Sequence, residues 1–170
     1  MGMELYFNVW EKGEPGQMPL ADLDAAFADA IVHRETEGDE FFWRLEYAMP
    51  GPEWKTSAPR DEELTSADAW TSADVYGAIT EGTVPPMCNG LTFSGAPDHP
   101  AFYASLIRLL QGATSAVFWP GENALVIGQK ESIPHLPQDM IESLGEPLPR
   151  DPAGRHPGAH RAKLSVSRRR

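Results

Sequence analysis

Two spacings of apolar residues alternate along this chain, and they constrain its fold more than any other feature. Residues 3–10 and 41–47 place apolar side chains at every second position, as strands do, because successive side chains of a strand point to opposite faces. Residues 19–31 and 102–110 place them at intervals of three and four, as amphipathic helices do. The chain therefore contains both strand and helix patterns, and their irregular order predicts the α+β class.

Weaker patterns complete the predicted order of elements. They are a short strand at 91–93, two apolar runs that form a hairpin around the turn Pro120-Gly121, and a helix at 138–144. From the whole order we expect a mostly antiparallel sheet of about four to six strands, with the helices packed on one face.

Two polar segments lack the alternation of a strand and are assigned to other structures. The acidic residues 35–40 indicate a loop, which follows a helix ending at His33-Arg34. A six-residue repeat, at 65–70 and 71–76, begins each time with Thr-Ser and has an acid three residues after the Thr, which resembles a helix start. The repeat predicts one or two short helical turns with its aromatic residues packed inward.

Charge is divided unequally along the chain. Residues 1–150 hold 24 Asp and Glu against 8 Lys and Arg, whereas residues 151–170 hold 6 Lys and Arg against a single Asp. We predict one α+β domain over 1–147 and a flexible, disordered Pro- and Arg-rich C-terminal tail over 148–170, which folds back electrostatically on the acidic body. An acidic body repels nucleic acid and anionic membranes, so neither is expected as a partner.

The single cysteine, Cys88, excludes an internal disulfide framework. The first residues show neither the basic region nor the apolar run of a secretory signal, and no apolar stretch approaches the roughly 20 residues that span a bilayer. We therefore expect a cytoplasmic protein.

Residues with catalytic or metal-binding chemistry are present but form no recognised motif. Cys88 would need a base to act as a nucleophile, and His99 and His135 are the candidates. His156 and His160 have the spacing of a metal-binding helix, but a Pro-Gly pair between them prevents that helix. With 25 acids in the chain, some carboxylate pair always lies at a hydrolase distance, so that spacing does not discriminate. We expect no metal and no cofactor.

Acidic and aromatic residues concentrate between residues 61 and 76. Carboxylates attract cationic groups, and exposed Trp and Tyr supply the large contact area of binding hot spots. This composition predicts a surface that binds a cationic protein. Its members are Asp61, Glu62, Glu63, Asp68, Trp70, Asp74 and Tyr76. The alternative is that the acids only solvate a surface whose aromatic side chains point into the core.

The sequence therefore predicts a non-catalytic binding protein that engages a basic protein partner. In size, acidity and fold class the chain is similar to the immunity proteins that neutralise bacterial toxins, many of which are basic enzymes. That similarity implies an immunity-type inhibitor. The alternatives are a small hydrolase that uses Cys88 or a carboxylate pair, and an adaptor subunit of a larger assembly. The oligomeric state is left open.

Overall fold

The computed structural model describes residues 3–48, 71–121 and 123–149. These residues form both helices and a mostly antiparallel sheet, which confirms the α+β class. In chain order the elements are β1 (Leu5–Glu11), β2 (Glu14–Pro15), β3 (Met18–Pro19), α1 (Leu20–Phe27), β4 (Ile31–Glu37), β5 (Glu40–Glu46), β6 (Ser72–Ala78), β7 (Met87–Cys88), β8 (Gly90–Ser94), α2 (Pro100–Gly112), β9 (Ser115–Phe118), β10 (Leu125–Ile127), a 3₁₀ helix (Lys130–His135), α3 (Gln138–Leu144) and β11 (Leu148–Pro149).

The strands of the described residues form one large sheet and one small ladder. The order in the large sheet is β11-β10-β9-β1-β8-β6-β5-β4, with β2 paired to β1, so it has nine strands where about four to six were expected. All neighbours are antiparallel except β10 and β11, as the mostly antiparallel prediction requires. β3 and β7 form the small ladder. Strands of two residues are too short for any alternation, so the pattern could not reveal them.

Two helices cover one face of the sheet. The inward side chains of β1 are Leu5, Phe7 and Val9, and all three are buried. α1 and α2 pack over this face and against each other. Phe27 of α1 lies 5.4 Å from Phe93 of β8 and 6.2 Å from Phe102 of α2, measured between ring centroids. This aromatic cluster ties both helices to the sheet.

The opposite face is covered only in part. The 3₁₀ helix and α3 pack on it over β9 and β10, where Leu136 and Met140 meet Leu125 and Ile127. The prediction that the helices share one face is therefore wrong. The outward residues of β10 are apolar and need a cover, which α3 provides. The described helices leave the part formed by β8, β6, β5 and β4 open.

The acidic segment that was expected to be a loop belongs to a β-hairpin. α1 ends at Phe27, and β4 pairs with β5 across a turn where Gly38 has φ +64°. β4 is an edge strand with both faces exposed, so its sequence lacks the apolar alternation of a covered strand. The second Thr-Ser repeat likewise forms a strand, β6, where helical turns were expected. The first repeat, 65–70, lies outside the described residues.

Two residues that were assigned to the C-terminal tail, Leu148 and Pro149, form a strand of the sheet. Leu148 aligns with Val126 and Pro149 with Ile127, in parallel pairing between β11 and β10. The rest of the predicted tail, residues 150–170, lies outside the described residues. None of the described helices is both long and apolar enough to cross a bilayer.

Candidate functional site

The uncovered part of the sheet forms an acidic surface, which we call the open face. It consists of the side chains of β4, β5, β6 and β8 that point away from α1 and α2, and it holds a groove of about 610 Å³. Five carboxylates belong to this side of the sheet. They are Glu35 and Glu37 of β4, Glu40 and Glu46 of β5, and Asp74 of β6. Directly opposed residues of antiparallel strands share a face, so pairing brings acids from three strands together.

The Arg side chain of the open face is already paired. Nη1 of Arg44 donates to Oδ1 of Asp74 at 2.7 Å, and Nη2 donates to Oγ of Ser72 at 3.2 Å. Nε of Arg44 lies 4.0 Å from Oε1 of Glu46. Arg44 and Asp74 are directly opposed in the register of β5 and β6. One guanidinium against five carboxylates leaves the open face with a net negative charge, which attracts cations.

Two aromatic side chains form the centre of the open face. Phe42 and Tyr76 are opposed across β5 and β6, with ring centroids 5.2 Å apart. Tyr76 is 48% exposed, whereas its neighbour Val75 on the other face is fully buried. His33 of β4 lies on Phe42, with ring centroids 6.1 Å apart. A half-exposed aromatic residue surrounded by carboxylates has the composition of a hot spot for a basic protein.

Polar side chains at the junction of β1 and β8 hold one end of the groove. Nδ2 of Asn8 donates to Oδ1 of Asn89 at 2.7 Å. Nδ2 of Asn89 donates in turn to the carbonyl oxygens of Val9, at 3.0 Å, and Gly16, at 2.8 Å. These amides bind groups inside the protein and fix the loop before β8 to β1. This end of the groove is therefore preorganised.

The structure brings two of the seven predicted site residues to the open face. Asp74 and Tyr76 occupy alternate positions of β6, with Asp74 bound to Arg44 and Tyr76 pointing toward solvent. The expectation that Tyr76 packs inward is wrong. The other predicted members lie outside the described residues, and they are Asp61, Glu62, Glu63, Asp68 and Trp70.

Sequence reasoning missed the acids of β4 and their neighbour Phe42. One signal was available, because the alternation in 41–47 assigns Phe42, Arg44 and Glu46 to a single wet face. The Gly-Asp pair at 38–39 is a turn signal that could have joined the acidic segment to this strand as a hairpin. That pairing places Glu35 opposite Phe42.

The environment of Cys88 is that of a structural cysteine. Its side chain is fully buried, as expected for a small apolar residue, and Sγ donates to the carbonyl oxygen of Gly90 at 3.1 Å. Burial raises the pKa of the Cys88 thiol, which keeps the sulfur protonated. A nucleophilic cysteine requires the opposite shift.

The two histidines considered as bases for Cys88 are bound to the backbone. Nδ1 of His99 accepts from the N–H of Ala101 at 3.1 Å and caps α2, while Nε2 donates to the carbonyl oxygen of Ala48 at 2.8 Å. Nδ1 of His135 accepts from the N–H of Lys12 at 3.2 Å. These contacts explain both histidines as structural residues.

Comparisons with known proteins do not add to this geometry. No protein-family model matches the chain, and neither a curated protein nor a solved structure matches it. Within the described residues, no group of three or more His, Cys, Asp or Glu side chains is arranged to hold a metal ion.

Proposed function

We propose that this chain is a non-catalytic binding protein that engages a cationic protein partner through its open face. The observation that carries the proposal is the set of five carboxylates around Phe42 and the half-exposed Tyr76. The partner has a basic surface. Neither nucleic acid nor an anionic membrane suits a face of this charge.

The charge of the open face supports fast association. Neighbouring strands lie about 4.8 Å apart, and the Debye length at physiological ionic strength is about 8 Å. The carboxylates of β4, β5 and β6 therefore act together on an approaching cation. The formal charge of the whole chain, −11, adds to the same steering. We expect an association rate that falls steeply with added salt.

Tyr76 supports the affinity of the complex once it has formed. Its ring offers a large contact area beside the acids, and β6 is paired on both sides, with β5 and with β8. The backbone that carries Tyr76 is therefore ordered before binding, which lowers the entropy lost on association. Truncation of such an anchor weakens binding by at least about 2 kcal/mol.

The narrower form of the proposal is an immunity-type inhibitor of a basic toxin enzyme. An inhibitor of this kind blocks a basic surface of its target and needs no catalytic group of its own. The size, acidity and α+β class of the chain support this form. The proposal includes a cytoplasmic location, where thiols such as Cys88 remain reduced.

A capture experiment with charge-matched variants tests the proposal. The full chain is immobilised at low salt, exposed to a lysate of its own cells, and eluted with NaCl. The face variant is Glu35→Lys with Glu37→Lys. The control is Asp22→Lys with Asp29→Lys, which changes the net charge equally but on α1 and in the turn that follows it. The wild type and the control should retain the same basic protein, and the face variant should lose it.

Two results would contradict the proposed function. One is equal retention of that protein by the face variant and the control, which would mean that net charge alone, and not the open face, binds it. The other is a retained protein without a basic surface. Circular dichroism of both variants verifies that each is folded.

A further inference from the structure

A second concave surface lies beside the open face, between β1, β9 and α3. We call it the aromatic groove, and its volume is about 540 Å³. Its principal walls are Tyr6, Trp10, Phe118, Trp119, Pro137 and Met140. Tyr6 and Phe118 stack on adjacent strands with ring centroids 5.3 Å apart. The groove shares no lining residue with the groove of the open face.

The walls of the aromatic groove point to an occupant. They are largely ring and proline surface, and exposed apolar surface of this kind favours burial under another segment.

The chemistry of the walls selects the kind of segment. Aromatic-lined grooves bind polyproline II segments, because prolines present a preformed apolar ridge and leave their carbonyl oxygens free. The carboxylate of Asp139 lines the groove, and α3, which carries it, contains no Lys or Arg. A carboxylate in this position pairs with Arg side chains. The segment that fits therefore contains both proline and arginine.

We propose that residues 150–161 of this same chain occupy the aromatic groove. The prolines of this segment are Pro152 and Pro157, and its charged residues are Arg150, Arg155 and Arg161 against Asp151. The segment thus contains both residue types that fit the groove walls, proline and arginine. The proposal does not depend on the proposed function, since the two surfaces have separate linings.

The position of β11 makes this contact easy to reach. Pro149, the last described residue, aligns with Ile127 in β11, and β11 lies three strands from β1. Three strand spacings amount to about 14 Å, whereas twelve residues in polyproline II conformation span about 37 Å. A short tether also gives the segment an effective concentration in the millimolar range. A weak contact is therefore enough for substantial occupancy.

Disulfide trapping in the full chain tests the proposal. Ala153→Cys provides one thiol in the segment, and Ser143→Cys provides the other at the exposed rim of the aromatic groove. The controls combine Ala153→Cys with Glu40→Cys on the open face, or with Asp29→Cys in the turn after α1. Cys88 is buried and does not compete. The groove pair should form its intramolecular disulfide at least about tenfold faster than either control pair, because docking raises the local thiol concentration.

Less than about a tenfold excess over either control would overturn the proposal. A faster reaction at Glu40→Cys would instead locate the segment on the open face. Pro120→Cys, at another exposed position of the rim, replaces Ser143→Cys if that variant does not fold. Trp119→Ala, added to the groove pair, should reduce the rate to that of the controls. This outcome is separate from partner capture, so each proposal can fail alone.

Discussion

At the scale of single residues, burial determines the protonation state of the Cys88 thiol. In the folded chain its pKa is raised above the ordinary value of 9.0 by desolvation. Well below pH 9 the thiol is protonated in both states and adds no pH dependence. As the pH rises from about 9 through the raised pKa, the unfolded chain releases a proton that the folded chain keeps. The free energy of unfolding must then fall.

Urea unfolding between pH 8 and pH 10.5 checks this linkage. The wild type should lose more stability over that window than Cys88→Ala, which lacks the titrating group. Parallel loss in the two proteins would show that the thiol titrates alike in both states. It would also remove the argument that Cys88 is held protonated.

The hydroxyl of Tyr47 supplies a second prediction at the residue scale. The ring stacks on His99 with centroids 4.9 Å apart, but the hydroxyl is buried and has no hydrogen-bond partner among the described residues. Tyr47→Phe keeps the ring and removes the unsatisfied group, so stability should stay constant or rise by up to about 1 kcal/mol. The matched control is Tyr103→Phe, which removes the bond from the Tyr103 hydroxyl to Asp98.

Chemical denaturation compares the two tyrosine variants. Tyr103→Phe should lose about 0.5 to 1.5 kcal/mol, the usual net contribution of one hydrogen bond. A larger loss of stability for Tyr47→Phe than for Tyr103→Phe would contradict the prediction. It would mean that the Tyr47 hydroxyl is hydrogen bonded after all.

At the scale of single elements, backbone approach makes some glycines essential. A Cβ on Gly90 would clash with the carbonyl oxygen of Phe7 and with Asn8, because β1 and β8 meet closely there. Gly90→Ala should therefore cost about 1 to 3 kcal/mol of stability. Gly112 ends α2 and has no heavy atom within 4 Å of a Cβ, so Gly112→Ala should be neutral or gain up to about 1 kcal/mol. Equal changes in stability for Gly90→Ala and Gly112→Ala in chemical denaturation would contradict the close approach of β1 and β8.

The elements that could be predicted from the sequence are those with at least one covered face. β5 and α2 show the expected periodicity because each buries one side. β9 and β10 are covered on both faces and are therefore recognised as continuous apolar runs. β4 has no covered side, and the pattern of its residues therefore carries no strand signal. In β6 the Thr-Ser start favours a helix locally, but pairing with β5 and β8 on both sides overrides that preference.

At the scale of the whole molecule, the sequence predicts an acidic surface but not which strands combine to form the open face. The excess of Asp and Glu is plain from composition. The open face, however, arises from pairs such as Arg44 with Asp74, which are 30 residues apart. Local patterns do not report such distant strand pairing. The predicted site therefore includes Asp74 and Tyr76, which are close together in the sequence. It does not include Glu35 and Phe42, which strand pairing brings to the same face.

The arrangement of the two faces also explains how one sheet can carry a core and the proposed binding surface. α1 and α2 bury one side, while α3 and the 3₁₀ helix cover only the β9 and β10 end of the other. The acids of β4, β5 and β6 then remain in water, where charge needs no partner inside the protein. Binding variants on the open face should accordingly leave the core intact.

The kinetics of binding to the captured basic protein, measured by surface plasmon resonance over a NaCl series, test the central claim most directly. At low salt, Glu35→Lys with Glu37→Lys should slow association at least about tenfold and flatten its salt dependence, whereas the charge-matched control at Asp22 and Asp29 should change it much less. Tyr76→Ala should raise the dissociation rate about 30-fold, the equivalent of about 2 kcal/mol. Association that slows equally in both charge variants, together with an unchanged dissociation rate for Tyr76→Ala, would contradict binding through the open face.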